Sequence, residues 1–214
     1  MSYIKQFFIL SFILLFLLNC GGEKKPTFDK SALFWYLQMN QKINHGDLEG
    51  AEEKYSSLVS EHISSKLLPS ATFILANAHV KKEEYIMARF YYNEYIQKFS
   101  TSKDIDYIKY LKIKTQLKSI SHIDKSQLLL KNTITQTKNF LVLYPNSKYF
   151  PFVKTILTKL MITKNLQNNH IRSLYEQLNN PKAAQIYKTK LSNSYVNSIK
   201  YTKPQTPWYK VLFE

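Results

Sequence analysis

Histidines, a cysteine and adjacent acidic pairs are the residues of this chain whose types could carry chemistry. A zinc site needs imidazoles at helical spacing, as in His-x₃-His or His-Glu-x-x-His. His45, His62, His79, His122 and His170 stand far apart and form neither arrangement. Each reads as a structural or exposed histidine. Glu52-Glu53 and Glu83-Glu84 are the acidic pairs. Neighbours on a helix point about 100° apart, so neither pair faces itself as an acid–base couple would. They read as solvated residues of helix first turns, where negative charge suits the dipole. No Gly-x-Ser-x-Gly elbow supplies a nucleophile. Only four glycines occur, at positions 21, 22, 46 and 50. Neither a phosphate-cradling loop nor a dinucleotide fingerprint can be written with them. The chain therefore reads as a non-enzyme without metal or soluble cofactor, and the one reactive group left is Cys20.

The residues before Cys20 say what its thiol is for. Lys5 gives a positive N-terminus, and Phe7 to Leu18 is apolar apart from Ser11. A membrane-spanning helix needs about 20 apolar residues. This run is nearer the roughly 7–15 residues of a secretory signal. It ends in Leu17-Leu18-Asn19-Cys20-Gly21, which resembles the lipobox of bacterial lipoproteins, with Asn19 where Gly, Ala or Ser is usual. That resemblance implies a signal peptide at residues 1–19, covalent lipid on Cys20 and a polar tether over residues 20–29. Gly21 stands where an aspartate commonly signals inner-membrane retention, so the expected location is the periplasmic side of the outer membrane.

The body, residues 30–200, must be positioned by helices. No glycine follows residue 50, and few turn dipeptides serve hairpins, so the expected class is all-α. Ala88, Tyr92, Tyr95 and Phe99 fall on one helical stripe. Ile105, Ile108, Leu111, Ile113, Leu117 and Ile120 form a second, and Phe152, Ile156, Leu157, Leu160 and Met161 a third. Breaks are expected at Gly46-Asp47, 64–69, 100–104 and 144–147, with Pro69, Pro151 and Pro181 in helix first turns and Asn180 as a cap. Ala51-x₃-Tyr55 and Ala88-x₃-Tyr92 lie 37 residues apart, close to the tetratricopeptide period of about 34. The alanine lets paired helices approach, and the aromatic fills the space beside it. Thr133 marks the same position in a degenerate third pair. The expected fold is a tetratricopeptide-like superhelix of about four to five antiparallel helix pairs.

The formal net charge is +15. The lysines are scattered among Asn, Gln, Ser and Ile, so they read as solvated helix faces rather than a nucleic-acid site.

Several stretches carry a family resemblance: Pro69 to His79, Glu84 to Tyr92, Tyr95 to Phe99, Phe140 to Tyr149, Ile171 to Tyr175 and Pro181 to Tyr187. In this order they resemble the BamD family, the lipoproteins of the β-barrel assembly machinery, in a short lysine-rich form. The likeness covers roughly residues 30–190. It implies a scaffold that helps fold and insert outer-membrane proteins. The implied partners are the periplasmic domains of the central barrel protein and the extended C-terminal segments of unfolded substrates. A repeat lipoprotein scaffolding cell-wall or secretion machinery is the alternative.

Surface aromatics would do such work, because tyrosine offers a large contact area with a polar tip. The chain has 16 tyrosines, 13 phenylalanines and two tryptophans. Trp35, Tyr36, Tyr91, Tyr107 and Tyr110 are the candidates within the body, with burial in the core as the competing reading for each. Trp208 and Tyr209 stand in an aromatic tail, residues 201–214. It either caps the last repeat or enters a partner, and the cap is favoured because terminal repeats need covering.

Overall fold

The computed structural model describes residues 29–194, apart from 102 and 123–126. Among these residues eight helices follow one another: α1 (Ala32–Asn44), α2 (Leu48–Glu61), α3 (Leu68–Lys81), α4 (Tyr85–Lys98), α5 (Ile105–His122), α6 (Gln127–Leu143), α7 (Phe150–Gln177) and α8 (Pro181–Ser192). They pack as adjacent pairs, α1 with α2 through α7 with α8. The fold is all-α and tetratricopeptide-like, with four pairs in the described residues.

Local chemistry sets the boundaries. Ser31 starts α1 by accepting the Phe34 N–H at 3.2 Å, and Asp47 starts α2 by accepting that of Gly50 at 2.9 Å. Asn180 does the same for α8 through Ala183, and Pro69, Pro151 and Pro181 occupy first turns, where a missing N–H costs nothing. Within pairs, the tight turn needs one residue in the left-handed region. Gly46 (φ +76°) supplies it between α1 and α2, Glu83 (φ +64°) between α3 and α4, and Asn179 (φ +52°) between α7 and α8. Glycine and asparagine take this conformation easily; a glutamate does so at a cost.

The expected small-residue register holds. Ala51 and Ala88 are fully buried where paired helices meet. Tyr55 beside Ala51 donates to Thr72 Oγ1 at 2.7 Å, whose own hydroxyl donates to Leu68 O. Tyr92 beside Ala88 donates to Asn77 Oδ1 at 2.9 Å. In α6 the register is kept by Thr133 and Thr137, both buried and each returning its hydroxyl to the carbonyl four residues before. One core joins α1 to α5, and a second joins α5, α6 and α7. Helix α5 belongs to both, giving Ile108 to the first and Ile113 and Ile120 to the second. The third stripe needs a correction. Val153, Ile156 and Leu160 are buried, but Phe152 is 58% exposed, because it points along the face shared by α5 and α7 rather than into the core.

Helices α1 and α3 touch, as do α5 and α7. Between these two pairs, α3 meets α5 through the Phe73–Tyr107 ring contact.

Candidate functional site

Along the odd-numbered helices runs a row of aromatic rings. It begins on α1 with Tyr36, whose hydroxyl lies 3.2 Å from Ser70 Oγ on α3. One turn along α3, Phe73 meets Tyr107 of α5 at 6.2 Å between ring centroids. Tyr149 then stacks on both Tyr107 (5.1 Å) and Tyr110 (4.9 Å, 9° between planes), and Tyr110 meets Phe152 of α7 at 6.1 Å. Each such pair contributes about 0.5–1.5 kcal/mol beyond its buried area, so the rings hold one another in place. All but Phe152 are half-buried, with the remaining surface open to solvent.

The backbone beneath is repeated as well. Asn40 donates to Tyr36 O and Asn77 to Phe73 O, both at 2.8 Å. Tyr36, Phe73 and Tyr110 succeed each other at intervals of 37 residues, the interval of Ala51 and Ala88. Tyr149 is placed by a separate device: Ser147 Oγ accepts its N–H at 3.1 Å and donates to Asp106 of α5 at 2.6 Å. Cations border the row, with Lys114 Nζ 5.9 Å from the Tyr110 ring and Lys148 Nζ 5.2 Å from that of Tyr149. Such a surface presents half-buried aromatic faces with positive charge beside them.

Of the candidates read from sequence, Tyr36, Tyr107 and Tyr110 come together here. Trp35 does not: it is buried in the first core, donating Nε1 to Glu61 at 2.8 Å with Lys54 above its ring. Tyr91 is also core, edge-on to Tyr55 and stacked on His79 at 5.4 Å. Burial pushes its phenol, like that of Tyr55, well above the usual tyrosine range. Cys20, Trp208 and Tyr209 lie outside the described residues. Sequence reasoning missed Phe73 and Tyr149 and misplaced Phe152; the 37-residue interval would have found Phe73.

The acidic pairs also need correction. Glu52 of α2 and Glu84, which precedes α4, are not simply solvated. Both reach the buried imidazole of His79, at 3.0 and 2.7 Å. Their other members are exposed. Among the described residues no three His, Cys, Asp or Glu side chains are arranged to hold a metal ion, and no helix is long and apolar enough to cross a membrane.

The model of the YfiO family, described as outer membrane lipoprotein, matches residues 29–203. The chain is also 33% identical to the outer membrane protein assembly factor BamD of Helicobacter pylori, over all of this chain and 99% of that protein.

Proposed function

The chain belongs to the YfiO family of outer membrane lipoproteins, and from that premise we propose that it is a non-enzymatic scaffold in outer membrane protein assembly. The observation that carries this reading is the run of touching aromatic rings from Phe73 of α3 through Tyr107, Tyr149 and Tyr110 to Phe152 of α7. An unfolded β-barrel segment is an extended chain in which every second residue is apolar or aromatic. At about 3.3 Å rise per residue, alternate side chains stand about 6.6 Å apart. From Phe73 to Phe152 the rings follow one another at 4.9–6.2 Å, so successive apolar side chains can each meet a ring. Lys114 and Lys148 suit a carboxylate on such a segment, its chain terminus included. Affinity then comes from many small contacts with a surface that is already assembled, which limits the ordering cost of binding.

The periplasmic domains of a central barrel protein are the second partner in this reading. Lipid on Cys20, exposed by removal of residues 1–19, holds the scaffold on the periplasmic side of the outer membrane, and residues 20–29 give it reach. Two or three acyl chains anchor stably where one is marginal.

Depletion of the protein in its own cells tests the role. Many β-barrel proteins should disappear from the outer membrane together. Normal barrel assembly with altered cell shape or secretion would instead assign it to other envelope machinery.

A further inference from the structure

A second surface lies on the other side of α5. Lys109 and Lys112 lie on the side of α5 away from Tyr107 and Tyr110 by helical geometry, and Ile113 lies between the two sides, in the second core. Together with α4 and α6 they line a cleft of about 370 Å³, within the range of sites that hold a ligand group. Ile96, Ile113 and Phe140 form its apolar floor, and the carboxamides of Asn93, Gln97, Gln136 and Asn139 surround it. Among the described residues no carboxylate lines it.

Its charge is unbalanced. Lys109 donates to the Tyr144 hydroxyl at 2.8 Å, with its ammonium 5.0 Å from the ring. Lys112 is half-buried, and the charges that act on it are Arg89 and Lys109, both positive. Burial first, then those two cations, pull its ammonium below the usual lysine range. A half-buried cation among like charges gains most from an incoming anion. The floor requires that anion to bring an apolar neighbour. The carboxamides offer donors and acceptors together, as peptide groups require. A phosphate leaves the floor and the amide oxygens unused, and an acyl chain leaves the amides unpaired.

We propose that this cleft docks an acidic segment of a partner protein, with a carboxylate on Lys112 beside Lys109 and an adjacent apolar side chain on Phe140. The site is separate from the aromatic row, so both can be filled at once and one can fail without the other.

The test uses the mature lipidated chain in detergent and two fluorescent capped peptides that differ only in Phe-Asp-Leu against Phe-Asn-Leu. Anisotropy should show the aspartate peptide binding at least about tenfold tighter. Lys112→Gln, which removes an unfavourable half-buried charge, should keep full helicity and abolish the difference. Asn139→Glu, on an exposed position, should do the same by placing a carboxylate beside the lysines. Phe152→Ala, in the other surface, should leave the preference intact. Equal affinity for the two peptides, or a preference that survives both cleft variants, overturns the proposal. So does a preference lost in Phe152→Ala. Binding of phosphatidylglycerol vesicles that depends on Lys112, without any aspartate preference, would assign the cleft to lipid and overturn it as well.

Discussion

His79 Nδ1 donates to a carboxylate oxygen of Glu84 across 2.7 Å, while the ring is 99% shielded from solvent. Its other nitrogen lies 3.0 Å from Glu52 on α2, and its face stacks on Tyr91 of α4. One imidazole thus joins the first helix pair to the second. His79→Ala removes these contacts and leaves a hole, which should cost about 2–4 kcal/mol. Glu84→Gln, whose carboxylate is half-exposed and whose amide oxygen still accepts, should cost only about 0.5–1.5 kcal/mol. Urea unfolding with an unchanged m value measures both. Equal small losses would mean that the joint is not structural.

Glu83 holds a left-handed backbone at the turn where the equivalent residue of the first pair, 37 positions earlier, is Gly46. Glu83→Gly should therefore raise stability by about 1 kcal/mol. A loss on that substitution would show that the glutamate side chain outweighs its backbone strain.

Asp104 gathers three donors just ahead of α5: Tyr95 Oη at 2.8 Å, and Thr101 N and Oγ1 at 2.6 and 2.9 Å. Burial raises its pKa, but those hydrogen bonds outweigh burial and hold the carboxyl below its usual range. Tyr95 is pushed up to about 12 by burial and by Asp104. A lowered carboxyl contributes stability above its unfolded value, near pH 4, and loses it as pH falls through the folded value. Asp104→Asn should be about 1–2 kcal/mol less stable than wild type at neutral pH. That gap should close on acidification below about pH 4. A gap independent of pH would locate the effect elsewhere.

The helix pairs were legible because their signal is local. Ala51 and Ala88 must be small for helices to touch, and proline and asparagine punctuate the starts. The aromatic row was only partly legible. Adjacent residues Trp35 and Tyr36 have equal aromatic character, yet about 100° of helix rotation sends one into the core and the other to the face. The same rotation separates Phe152 from Val153. Glu52 and Glu84 looked solvated because their shared partner, His79, arrives from a third element. The Lys112 cleft was invisible for the same reason: three helices build it, and nothing in the spacing within any one of them marks it.

Cys20→Ser tests the anchor proposed for the chain. The variant should leave the membrane fraction once partners are stripped away, with circular dichroism showing its helices intact. Retention in the outer membrane after stripping would remove the lipid from the account.

The central claim is that the row on the odd-numbered helices binds extended β-barrel segments. Its most direct measurement is the affinity of the chain for a peptide with alternating aromatic residues from the C-terminal strand of an outer-membrane barrel protein. Phe152 is exposed, so Phe152→Ala should fold normally. Alone it should weaken binding about five- to tenfold, and with Tyr110→Ala by more than about tenfold, as expected for aromatic anchors. Unchanged affinity in both variants, with helicity preserved, would contradict the account.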